Sequence, residues 1–106
     1  MRGMKQRRLV TTLVGDGKLE IEGARFGVRY DMKVCRDFEV SPAGAAVPVL
    51  KSGRGLVEGL EDELVDRAVR EAKPLWLEME DGARALIQLE DTNGNFAVSE
   101  LVENAG

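Results

Sequence analysis

Few residues of this chain are of the types that carry catalysis or bind metals. The 106-residue sequence contains no histidine, which removes the commonest general base, the usual catalytic triads and the commonest metal ligand. Its one cysteine, Cys35, excludes cysteine-cluster metal sites. Lys33 and Arg36 nearby could favour a thiolate, but Cys35 has a predicted mid-strand position and a nucleophile would also need a partner base, so we interpret it as a structural or incidental thiol. We therefore predict a protein that is not an enzyme and has neither a metal site nor a cofactor.

Carboxylates are the remaining candidates for acid–base chemistry. The sequence holds 19 Asp and Glu residues, and a pair of them in a pocket could act as in glycosidases. Most of them, including Glu20, Glu22 and Glu78, fall on predicted outer faces of strands or in turns. An enzyme that uses a carboxylate pair is therefore the third functional hypothesis, behind two binding hypotheses.

Two glycine-containing segments have compositions found in ligand sites. Asp91–Asn95 shows the alternating Asp/Asn pattern of a calcium loop, but Gly94 is misplaced and Val102 stands where such loops end in Glu. Residues 51–55, KSGRG, have phosphate-binding composition without the spacing of a P-loop. We interpret both segments as turns.

The element that should organise the fold is the hairpin 75–91, LWLEMEDGARALIQLED, around the turn dipeptide Asp81-Gly82. A two-residue loop would mix apolar and polar side chains on one face, whereas a three-residue loop at 80–82 with a glycine bulge keeps the faces separate. The bulged register pairs Met79 with Ala83, Leu77 with Ala85, and Leu75 with Ile87. It places Trp76 on the opposite face, next to Leu86, and we expect this hairpin at the centre of the fold.

The rest of the chain reads as short strands punctuated by glycine-rich turns. The predicted strands are 7–14, 18–22, 28–40, 47–50, 56–57 and 95–101, separated by turns or loops at 15–17, 23–27, 41–46, 51–55 and 93–94. The longest strand is expected to have a bend or a bulge near 35–37. Glu20 and Glu22 are expected to face Arg29 and Lys33 across the first hairpin.

One amphipathic segment predicts a helix at about 60–72, ended by Pro74. Whether it plugs the barrel or lies beside it stays open. We predict a single domain over 1–106, with a flexible lead-in at 1–6 and a frayed tail at 103–106. The fold class is mainly β (α+β), a small antiparallel β-barrel or strongly curved sheet of about six or seven strands, with the helix inserted before the hairpin 75–91.

The charge distribution argues against nucleic acid and membrane partners. The net charge is −4, and the first eight residues carry four positive and no negative charges, so the rest of the chain nets −8. An acidic body disfavours extended contact with nucleic acid or anionic lipid. No apolar run approaches the length of a membrane span, and a chain with one cysteine and no targeting segment is expected in the cytoplasm.

Two resemblances to known proteins bear on function. Residues 39–44, EVSPAG, resemble the D/N-x-S-x-x-G signature of PilZ domains, small β-barrels that bind cyclic di-GMP. That family carries an R-x-x-x-R motif upstream, at a distance where this chain has adjacent arginines. The resemblance implies a nucleotide site at Arg7, Arg8, Ser41 and Gly44, although the signature begins with Glu and the arginine spacing differs. The patterns G-x-G-x-L, V-x-Y-x-M-x-V and L-x-M-E-D-G are similar to small bacterial β-barrel proteins of unassigned function.

These observations predict a non-catalytic β-barrel that works as a binding or assembly module for a protein partner or its own copies. The expected contact elements are the first strand, which is apolar on both faces, an exposed sheet edge, and Trp76. Trp76 would be a contact residue if it faces solvent and a packing residue if it lies under the helix. The alternative is a cyclic di-GMP binder of the PilZ kind.

Overall fold

A computed structural model describes residues 8–40 and 42–103, with side chains from Val10 onward. The elements in chain order are β1 (Arg8–Ile21), β2 (Ala24–Val40), β3 (Ala46–Glu58), α1 (Asp62–Glu71), β4 (Leu75–Glu78), β5 (Arg84–Leu89) and β6 (Asn95–Val102). The strands close into a ring in the order β1-β2-β3-β6-β5-β4, each antiparallel to its neighbours. The predicted fold class is confirmed. The predicted lead-in at 1–6 and most of the predicted tail lie outside the described residues.

The hairpin of β4 and β5 has the predicted bulged register. Leu75 lies opposite Ile87 and Leu77 opposite Ala85, and the Met79 N–H donates to the Ala83 carbonyl at 2.7 Å. Gly82 has a φ of 91°, which is the left-handed conformation that the bulge needs. The hairpin is not the centre of a sheet, however. Because the strands form a ring, β4 pairs with β1 on its other side, through Lys18 and Leu19.

The first hairpin corrects the sequence prediction. Residues 15–17 do not form a turn, and β1 runs unbroken to a two-residue turn at Glu22-Gly23, where φ is 52° and 82°. The predicted loop at 23–27 is therefore wrong too, since β2 begins at Ala24. The expected pairing of Glu20 and Glu22 with Arg29 and Lys33 does not form, because the register places Glu20 opposite Arg25.

The glycines at 15 and 17 make room for a side chain rather than for a turn. Tyr30 lies opposite Gly15, and its hydroxyl accepts a hydrogen bond from the Glu80 N–H at 3.1 Å. A Cβ on Gly15 would stand 2.8 Å from that hydroxyl, and a Cβ on Gly17 would run into the Glu78 carbonyl oxygen. The glycines thus let Tyr30 reach past β1 to the turn after β4.

The predicted turn at 51–55 is wrong for a similar reason. The two short strands predicted around it are one strand, β3, and its glycines lie where another strand packs closely. A Cβ on Gly53 would stand 2.7 Å from Val98, and a Cβ on Gly55 would stand 2.5 Å from the ring of Phe96. These two glycines therefore allow β6 to pack closely against β3.

The bend or bulge predicted near 35–37 is confirmed as a shift of register. The pairing of β2 with β3 shifts between Cys35 and Arg36, which marks a β-bulge. The bulge changes which side chains point inward, so that Asp37 is buried while Phe38 is only half-buried.

The core fills the ring, and the helix covers one end of it. The largest fully buried side chains are Phe96, Leu19, Met32, Leu77, Ile87 and Val34. The helix, predicted at 60–72, adds Val65 and Ala68 to the same cluster, and its Arg67 bonds Glu22 of the β1–β2 turn at 3.3 Å. Because α1 also contacts β5, it spans the end of the ring where β1 finishes. In the described part of the chain no helix has the length and apolarity to span a membrane.

Three strands extend beyond the ring. Past the row that joins Val10, Cys35 and Ser52, the sheet continues as residues 8–10, 35–40 and 46–52. The radius of gyration is 15.6 Å, larger than the roughly 13 Å of a compact domain of this length. The principal extents of 53 × 31 × 21 Å show the same elongation. The molecule therefore exposes more sheet edge than a closed ring alone would.

Candidate protein-contact surface

The outer edge of β1 lies open between Arg8 and Gly17. On one side β1 pairs with β2 over its whole length, but on the other side it pairs with β4 only at Lys18 and Leu19. Among the described residues, no strand pairs with the segment 8–17 on that side. We call this segment the β1 edge.

The backbone groups that face outward on the β1 edge belong to its even-numbered residues. The two-residue turn makes Ile21 and Ala24 a hydrogen-bonded pair, so the odd-numbered residues of β1 bond to β2. The Asp16 N–H donates away from β2, to the Glu80 carboxylate at 3.4 Å. Since the β1–β2 register has no bulge, Val10, Thr12 and Val14 point their N–H and C=O groups the same way.

The side chains of the β1 edge between Val10 and Gly15 are apolar or neutral. Val10 and Val14 are 58% and 51% exposed, Thr12 between them is also exposed, and Thr11 and Leu13 on the other face are half-buried. From 9 to 14 the strand has no charged residue, no proline and no bulge. The three usual devices that stop an edge from pairing with another chain are therefore missing at this point.

The corresponding edge of β3 differs in two of these respects. Beyond the part that pairs with β6, residues 46–53 include Pro48, which lacks an N–H, and Lys51, an exposed charge. Val98 of β6 also packs against Gly53 there. Two edges of one sheet thus carry opposite properties: the β3 edge resists the addition of a strand, and the β1 edge permits it.

Trp76, the predicted contact residue, is half-buried on the outside of the ring. It lies opposite Leu86 as predicted, and the Arg84 guanidinium stands 5.2 Å from its ring centroid. A hollow of about 230 Å³ beside it reaches Ala68 and Glu71 of the helix. The Trp76 side chain therefore borders this hollow on one side and lies under Arg84 on the other, so a contact role for Trp76 stays a prediction.

A cleft lies at the junction of β1, β2 and the β4–β5 turn. It measures about 650 Å³, and four exposed carboxylates line it: Asp16, Glu58, Glu78 and Glu80. Arg29 lies 3.7 Å from Asp16, and Arg25 pairs with Glu78 at 2.6 Å. Within the described residues no group of three or more His, Cys, Asp or Glu side chains could hold a metal ion. Acid–base chemistry in this cleft stays a prediction.

The Asp91–Asn95 segment is a hydrogen-bonded turn, as predicted. Asp91 accepts bonds from the Asn93 N–H at 2.9 Å, the Asn95 N–H at 3.2 Å and the Asn95 side-chain amide at 2.8 Å. The amide of the Asn95 side chain, together with these backbone N–H groups, holds the pKa of Asp91 below its ordinary value. The Asp91 carboxylate therefore stabilises the turn that connects β5 and β6.

The PilZ-like residues are only partly described. Arg7 and Ser41 lie outside the described residues, and so does the side chain of Arg8. The backbone of Arg8 pairs with Asp37, and Gly44 lies in the exposed β2–β3 turn with a φ of 85°. Both positions lie towards the outer tip of the extension, and the nucleotide hypothesis stays a prediction.

No protein family, curated protein or solved structure matches this chain. The sequence did not predict which residues form the β1 edge, although the first strand and an exposed edge were both expected as contact elements. The prediction of a turn at 15–17 cut β1 short and hid its length. A signal was present in residues 9–14, LVTTLV, a β-branched run without charge or proline.

Proposed function

We propose that this protein is a non-catalytic binding or assembly module that acts by accepting a strand of another polypeptide chain along its β1 edge. This mode of recognition uses main-chain hydrogen bonds for affinity and the flanking side chains for specificity. The observation that carries the proposal is the open edge itself, in which Val10, Thr12 and Val14 direct backbone groups outward with no strand paired to them among the described residues.

The contrast between the two edges supports this function. An open edge with an uncharged stretch, such as residues 10–15 here, invites aggregation, so a strand of this kind is stable in a cell only when something covers it. The β3 edge of the same sheet carries Pro48 and Lys51, whereas the β1 edge carries neither a proline nor a charge between Val10 and Val14. Protection of one edge and not of the other is expected if the unprotected edge has a partner.

The proposed setting is a bacterial cytoplasm with a protein partner rather than nucleic acid or membrane. The single cysteine is compatible with a reducing compartment. The net negative charge disfavours phosphate-rich partners. The partner is another protein chain or a second copy of this one.

Affinity capture with matched baits tests the proposal. Thr12→Pro removes one outward N–H while leaving the β2 ladder intact, because Thr12 does not bond to β2. Thr12→Val changes the side chain of the same residue but keeps that N–H. Tagged wild-type protein and both variants would be incubated with lysate of the cells that express the protein, and retained chains, including untagged copies of the bait, would be quantified by mass spectrometry.

We expect at least one protein, or the untagged bait chain, to be retained by the wild type and by Thr12→Val and to be lost from Thr12→Pro. Thermal unfolding of each bait shows whether it is folded. Retention that is equal on all three folded baits, or no retained chain at all, contradicts a function that depends on the β1 edge.

A further inference from the structure

We infer that the β1 edge pairs with the β1 edge of a second copy of this chain, antiparallel and related by a two-fold axis at Thr12. The inference rests on the proposed function and names its partner. It follows from the direction of the backbone groups, from the order of side chains along the strand, and from the way the pairing closes.

Backbone geometry allows this pairing. In an antiparallel ladder, residues directly opposite each other must both point their N–H and C=O groups at the partner or both point them away. The even-numbered residues of the β1 edge all point outward. With Thr12 opposite Thr12, Val10 faces Val14 of the second copy and Val14 faces its Val10. About six inter-chain N–H···O=C bonds then form.

Side-chain order supports a second copy as the occupant, because the strand is self-complementary about Thr12. Exposed valine faces exposed valine twice, and Thr11 faces Leu13 on the other side of the sheet.

Two neighbouring registers also place even-numbered residues opposite even-numbered residues, but they lack this complementarity. Centring the pairing on Leu13 places Val10 opposite the charged Asp16 and Val14 opposite Thr12. Centring it on Thr11 places Val10 opposite Thr12. Only the Thr12-centred register of these three places exposed valine opposite exposed valine, so the order of the side chains selects it.

The pairing ends at two chains and forms a closed dimer. A two-fold contact uses the same edge of both copies, so no open β1 edge remains to add a third chain. The sheets formed by β1, β2 and β3 of the two copies become one continuous sheet, and the β3 edges at its outer sides carry Pro48 and Lys51. An interface of a few strand residues is small, so we expect a dimer that dissociates on dilution.

Sedimentation equilibrium of the full chain tests the stoichiometry and the side-chain register together. The wild type should approach twice the chain mass of 11.6 kDa as concentration rises. Val10→Lys/Val14→Lys places lysine opposite lysine at both valine positions and should raise the dissociation constant about tenfold or more. Val10→Lys/Val14→Glu places lysine opposite glutamate in this register and should retain the dimer.

Disulfide trapping locates the two-fold axis. In a Cys35→Ser background, Thr12→Cys should form an inter-chain disulfide on mild oxidation, because opposed residues have Cα atoms about 5.5 Å apart. Val10→Cys alone should not, since its copies lie at least about 13 Å apart along the strands. A mixture of the Val10→Cys and Val14→Cys chains should form the mixed disulfide.

A monomer at every concentration overturns the inference. So does a dimer that Val10→Lys/Val14→Lys leaves unchanged, or one in which Thr12→Cys fails to crosslink. A monomer whose capture of another protein is still lost with Thr12→Pro overturns this inference alone and leaves the proposed function standing. A monomer with no capture that depends on Thr12→Pro overturns both.

Discussion

At the scale of single residues, the contact between Gly17 and the backbone of Glu78 decides how the ring closes. β1 and β4 pair through only two residues, Lys18 and Leu19. The neighbouring Gly15 and Gly17 bring the strands close enough for the Tyr30 hydroxyl to accept a bond from the Glu80 N–H at 3.1 Å. A ring closed by so few pairs depends on the absence of two Cβ atoms.

Gly17→Ala should therefore destabilise the fold. Its Cβ would meet the Glu78 carbonyl oxygen, which is backbone and cannot rotate away, so we expect a loss of roughly 1–3 kcal/mol in the free energy of unfolding. Gly27→Ala is the matched control, because the atom nearest its Cβ is the flexible Lys18 amine at 3.6 Å. Urea unfolding of both variants measures the difference, and equal stability would contradict this account of ring closure.

At the scale of elements, local signals predicted the β4–β5 hairpin to the residue and failed for β1 and β3. Gly82 and the alternation around it lie within one short segment, so the register could be deduced. The glycines of β1 and β3 are needed because residues far away in sequence, such as Tyr30 and Val98, pack against them. A glycine that makes room for a distant side chain looks, in sequence alone, like a glycine that turns the chain.

The sequence predicted the type of the candidate contact surface but not its position in the fold. An exposed edge and a two-sided first strand were expected, and both exist. Which edge is open depends on the ring order, in which β1 meets β4 rather than another long strand. That order follows from the packing of the whole chain, and no local pattern encodes it.

The turn between β5 and β6 should make stability depend on pH. The bonds from Asn95 and Asn93 lower the pKa of Asp91 below its ordinary value of 3.8, so the folded state favours the carboxylate. The stabilisation is present above the ordinary pKa and is lost as the pH falls through the lowered folded-state pKa. Wild type should therefore exceed Asp91→Ala in stability at neutral pH by more than it does in strong acid.

Thermal unfolding of wild type and Asp91→Ala from neutral pH down to strong acid measures this difference. Asp91→Asn is the control, because it retains an acceptor oxygen but cannot ionise, so the difference between its stability and that of Asp91→Ala should stay constant across the range. A gap between wild type and Asp91→Ala that is the same at all pH values contradicts a lowered pKa for Asp91.

At the scale of the whole molecule, a closed ring that buries the core leaves three strands extending past it. The ring and helix account for the stability, since the largest fully buried side chains lie within the ring. The extension instead presents apolar side chains such as Val10 and Val47 to solvent. This division of one sheet into a buried and an exposed part is what a module that binds through an edge requires.

Amide hydrogen exchange, followed by NMR at low and high chain concentration, tests the central claim most directly. The account predicts that Thr11 and Leu13, bonded to β2, are protected at both concentrations. Val10, Thr12 and Val14 should exchange quickly in dilute solution and become protected as the concentration rises. Fast exchange of these three amides at both concentrations, or new protection on another strand instead, would contradict pairing of the β1 edge with a second copy.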